Sequence, residues 1–99
     1  MNDVLRSPVL PSTIATAYAK DGCFFPYDVI SETEAAELLA DLESAEAEVA
    51  SDRARLSMLR GFPAQLLPSF AGLVRHPRLI EAMSQIIGAG LLVWGSGLF

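Results

Sequence analysis

Few residues of this chain belong to the types that carry chemistry, and their spacing keeps them apart. His76 is the sole histidine and Cys23 the sole cysteine. A metal site needs several imidazole, thiolate or carboxylate ligands converging on one point, and none stands at ligand spacing from His76. Pro77 behind it suits a first helical position, so His76 reads as a cap or loop residue. Cys23, between Gly22 and Phe24, has no base beside it to generate a thiolate and reads as a small strand residue. The acids from Glu32 to Glu48 follow the spacing of a solvated helix face and lack the glycine of a calcium loop. Gly88-Ala89-Gly90 follows a helix instead of opening one. Gly95-Ser96-Gly97 lies inside a strand-like run, so neither glycine cluster cradles a phosphate. Ser96 has no histidine to activate it, and Trp94 suits packing better than ligand stacking. The sequence assigns no catalytic and no metal-binding residue.

The elements that must position these side chains are mostly helices. Ser12 or Thr13 caps a short helix that Gly22 stops. Cys23-Phe24-Phe25-Pro26-Tyr27-Asp28-Val29-Ile30 follows as an edge or bulged strand, because Pro26 donates no hydrogen bond. Ser31-Glu32-Thr33-Glu34 has the pattern of a capping box. The helix it opens carries Ala35, Leu38, Leu39, Leu42, Ala45 and Val49 on one stripe and remains helix-compatible toward Leu59. Gly61-Phe62-Pro63 breaks it. Two further helices are expected over Pro68–Val74 and Pro77–Ile87, the second burying Leu79, Ile80, Met83, Ile86 and Ile87. Leu91 to Phe99 reads as a final strand with Leu92, Trp94, Ser96 and Leu98 on one side. Residues 1–11, with two prolines and no periodicity, read as a loose arm. Residues 12–99 read as part of one domain.

Composition narrows the function classes. At 99 residues the chain has room for one domain, and 52% of it is hydrophobic. A net charge of −5 with seven Lys and Arg disfavours nucleic acid and anionic lipid as partners. One cysteine excludes an internal disulfide, and neither a secretory leader nor a membrane span is legible. A cytoplasmic location is the default expectation. An apolar closing strand needs partners on its edges, which raises the expectation that the chain is the front of a longer protein.

Read in order, these segments resemble the start of the phytanoyl-CoA dioxygenase family. The likeness runs through Tyr18-Ala19-Lys20-Asp21-Gly22-Cys23-Phe24, then Ser31-Glu32-Thr33-Glu34. It continues in Leu73-Val74-Arg75-His76-Pro77-Arg78-Leu79-Ile80-Glu81, in Ile86-Ile87-Gly88 and in the run from Leu91 to Phe99. It spans roughly Thr13 to Phe99 and is weakest from Glu46 to Gln65. The resemblance implies an α+β fold: a helical layer with edge strands of a double-stranded β-helix, jelly-roll or cupin-like, with an incomplete barrel. It implies a non-haem oxygenase using iron(II) and 2-oxoglutarate in the full-length parent, where a His-x-Asp pair and a distant His would bind the metal. His76, followed by Pro77 and Arg78, does not match that pair. The fragment itself is therefore expected to be inactive, with no cofactor bound, and the substrate of the parent is a small molecule. If Trp94 and Ser96 face inward, they approach the cosubstrate. The rival expectation is a small α+β module that binds a protein partner and has no catalytic activity.

Overall fold

The computed structural model of the chain describes residues 11–99. These form six helices: α1 (Pro11–Asp21), α2 (Glu32–Glu48), α3 (Arg53–Gly61), α4 (Pro63–Leu66), α5 (Pro68–Val74) and α6 (Pro77–Ile87). The expected arm at residues 1–11 lies outside the described residues except for Pro11, which begins α1.

The expectation of an α+β fold with β-helix edge strands is overturned. Helix accounts for 66% of the described residues, and none of them forms a strand. Both candidate strands, Cys23 to Ile30 and Leu91 to Phe99, are irregular instead. A strand is stable only when its N–H and C=O groups enter a ladder with a neighbour. Neither run is paired in one, and the proline in the first removes a donor.

The chain divides into two compact units. The first takes the chain up to Glu32 together with His76–Leu92. Here α1 packs on α6, and the buried residues of the two helices are Ile14 and Ala82. Gly22 ends α1 at φ +73, with its N–H donating to the Tyr18 carbonyl at 2.8 Å. That left-handed stop matches the expectation from sequence. At the start of α6 the His76 ring accepts the Arg78 N–H at 3.2 Å, with Pro77 at the first position. At its end Gly88 adopts φ +90 and ψ 175, a region that only glycine enters at low cost. The expected stripe of α6 is covered only in part: Leu79 and Ile86 are half-buried, Ile80, Met83 and Ile87 are exposed, and Ala82 is the buried residue.

A clamp on Arg78 ties the segment after α1 to α6. The Tyr27 hydroxyl donates to the Arg78 carbonyl at 2.7 Å. The Arg78 Nε donates to the Asp28 carbonyl at 2.6 Å. Its guanidinium lies 5.2 Å from the Tyr27 ring centroid, within cation–π range, and the Phe24 ring tilts against Tyr27 at 6.4 Å. One side chain thus satisfies a backbone carbonyl and covers an aromatic face.

The second unit takes Thr33–Arg75 and Val93–Phe99. The helix compatibility that runs past Ser51 is interrupted by a turn, and α3 starts afresh with Asp52 as its cap, accepting the Arg55 N–H at 3.1 Å. The ion pairs Arg55–Asp52 and Arg60–Glu46, each at 3.4 Å, are largely exposed and contribute little. Helix α4, read from sequence only as a break, packs between α3 and α5. Leu59 and Pro63 are buried. No residue of α2 is buried, and Leu39 on its apolar stripe is 55% exposed.

Replacing Arg78 with Ala removes a charge-assisted hydrogen bond and the cation–π contact, a loss of about 2 kcal/mol. Amide hydrogen exchange in α6 and in residues 24–30 is expected to accelerate at least about tenfold. Arg78→Lys, which keeps the charge but loses the planar fork, should fall between.

Candidate functional site

The residues singled out from the sequence mostly stay apart. His76 caps α6, as its Pro77 neighbour implied. Cys23 is exposed. Among the described residues no three His, Cys, Asp or Glu side chains gather to hold a metal ion. No helix there is long and apolar enough to cross a membrane.

Trp94 and Ser96 do come together. Within the second unit they line an open cavity of about 290 Å³ with Phe62, Gln65, Val74 and Arg75. The size is near the lower limit of small-molecule pockets, about 300 Å³. The expected alternation of faces fails here, because Val93 lines the same cavity. Without a pleated ladder, the two-residue period no longer governs where side chains point.

Two hydrogen bonds hold this wall in place. Leu98 donates its N–H to the Arg60 carbonyl at 2.8 Å. The Ala64 N–H donates to Ser96 Oγ at 3.3 Å. The second bond explains the serine. Helix α4 has Phe62 at its cap position and no side-chain cap of its own, so its first amides lack an intrahelical acceptor. Ser96 supplies one from 32 positions away. In sequence the signal was a helix start at Phe62-Pro63 with no Ser, Thr, Asp or Asn before it.

Arg75 gives the cavity its charge. It follows the last turn of α5, is exposed, and takes part in no ion pair among the described residues. Sequence reasoning passed over it as part of the turn before His76-Pro77. Its isolation was nonetheless legible: Gly72 and Ala71, three and four residues earlier, offer no carboxylate. The arrangement is a free guanidinium and an amide, Gln65, beside an indole and a phenyl ring. It can bind an anion with an apolar body. Among the described residues that line it, no nucleophile is paired with a base.

A second depression, of about 250 Å³, lies in the same unit between α2, α3 and α4. Ala45, Val49, Met58, Leu59 and Leu66 line it, with Glu48 and Arg55. Its walls are almost wholly apolar, and it adds no reactive group.

Removing the Ser96 hydroxyl leaves an orphan amide at α4. Ser96→Ala is expected to cost about 1 kcal/mol locally, read as roughly fivefold faster exchange at the Ala64 amide, while Ser96→Thr keeps the protection.

Comparison with known proteins adds nothing to this geometry: no family model, no curated protein and no solved structure matches the chain.

Proposed function

We propose that this chain is the N-terminal helical part of a non-haem oxygenase resembling the phytanoyl-CoA dioxygenase family, with iron(II) and 2-oxoglutarate as cofactors of the full-length parent and a small molecule as its substrate. The observation that carries this reading is the state of the closing segment. Leu92, Val93, Trp94 and Phe99 are all exposed, Trp94 fully. The segment's part in the second unit, Val93–Phe99, is held there by the Leu98 and Ser96 hydrogen bonds. A run this apolar is stable in water only when something covers it. A larger enzyme that uses the helices as support would do so.

The described residues do not fit an iron site, since no His-x-Asp pair and no cluster of ligands occurs among them. No step of an iron-dependent reaction is therefore assigned to them. Their role in this reading is structural: to carry the apolar segment and to present Trp94, Ser96 and Arg75 on one cavity.

One observation favours a second reading. On the apolar stripe of α2 Leu39 is exposed and Leu38, Leu42, Ala45 and Val49 are only half-buried, as in a module that docks on a separate protein through an apolar helix face.

Two results test the first reading. Purified protein mixed with iron(II), ascorbate, oxygen and 2-oxoglutarate is expected to form no succinate above a protein-free control. The messenger RNA carrying this frame is expected to encode a His-x-Asp pair and a later histidine downstream of Phe99. Succinate formed by the 99-residue chain, or a stop codon directly after Phe99, would contradict it.

A further inference from the structure

We infer that the cavity beside α5 is a binding site for a small monocarboxylate with an apolar body, recognised by Arg75. This inference stands independently of the oxygenase reading, because every group it uses lies in the second unit and none depends on iron.

The charge of the ligand follows from the cation count. Among the described residues that line the cavity, Arg75 is the only Lys or Arg. A phosphate dianion calls for several cations or a nest of amides, whereas one guanidinium matches one carboxylate. The planar fork of arginine donates two parallel hydrogen bonds to the two carboxylate oxygens, which lysine cannot do. Gln65 offers an amide that can donate one more. Because Arg75 has no acidic partner among the described residues, a ligand need not displace an internal ion pair.

The apolar body follows from the remaining wall. Phe62, Val74, Val93 and the Trp94 indole line the cavity. Phe62 is 49% exposed, so an aromatic or short aliphatic group placed there covers surface that water now touches. Burying aromatic faces against a ring gains area and stacking together. The volume of about 290 Å³ matches a phenyl or short alkyl acid. An acid with polar groups throughout, such as 2-oxoglutarate, satisfies the guanidinium and leaves the aromatic wall wet. An exposed, single-cation site of this kind implies weak affinity, on the order of millimolar.

Trp94 is the only tryptophan and reports directly on occupancy. Phenylacetate titrated into the intact 99-residue protein is expected to shift and saturate Trp94 emission, and to move the Trp94 indole and Arg75 guanidinium NMR signals. Phenylacetamide, which keeps the ring and lacks the charge, should bind at least tenfold more weakly. So should 2-oxoglutarate, a dianion that keeps a carboxylate for the guanidinium and lacks the ring. R75Q is expected to weaken phenylacetate at least tenfold with an unchanged helical circular dichroism spectrum, and R75K to weaken it a few-fold. Equal binding of phenylacetamide removes the role of the charge and overturns the site. Equal binding of 2-oxoglutarate removes the role of the apolar wall and overturns it as well. A response that never saturates, or one that R75Q and R75K leave intact, overturns it too. The succinate and messenger RNA tests of the oxygenase reading are unaffected by any of these results.

Discussion

The structure is governed by apolar surface that its own helices leave uncovered. Ile14, Leu59 and Ala82 form the buried hydrophobic set, while Leu39, Met58, Leu66, Ile87, Leu92 and Trp94 are exposed. Many other apolar side chains, among them Leu42, Phe70, Leu73 and Ile86, are only half-buried. Local signals therefore carry much of the secondary structure, and the exposed apolar faces are open to a cover.

The local signals do hold firm positions. Proline at the first turn of α4, α5 and α6 and the caps Asp52 and His76 fix where helices begin. Gly22 and Gly88 fix where α1 and α6 end. Polar groups then take over the work that a core performs in a better-buried domain. Arg78 ties the segment after α1 to α6 through Asp28 and Tyr27, and Ser96 ties the last residues to α4. Each is a hydrogen bond between elements far apart in sequence, and each is satisfied by backbone on one side. That leaves the apolar faces of α2 and of the closing segment free to receive a cover.

Helices were the legible part of the sequence. The bounds of α5 and α6 could be read from Pro68, Val74, Pro77 and Ile87, because proline at a helix start and glycine past its end act within a few residues. The turn before α3 was missed because Arg53, Leu56 and Leu59 fit a helix whether or not it is continuous with α2. What decides is the Asp52 side chain reaching the Arg55 amide. The strands failed for a different reason. Apolar runs such as Leu91 to Phe99 declare that they need a neighbour, but a strand exists only where the neighbour does. The burial of α6 follows the same logic: its periodic stripe marks which face seeks cover, while Ala82 is the residue that is buried. The cavity was half legible. Trp94 and Ser96 were picked out, while Arg75 and Gln65 belong to it through the packing of α4 and α5, which no spacing in the sequence displays.

The central claim is that these residues alone do not cover the apolar faces they present. Scanning calorimetry of the purified 99-residue protein tests it most directly. A domain of this size with a complete core unfolds in one transition absorbing about 0.7 kcal/mol per residue, or roughly 70 kcal/mol near 60 °C. The account predicts a broad heat uptake well below that value. A single sharp, two-state transition of full enthalpy would contradict it.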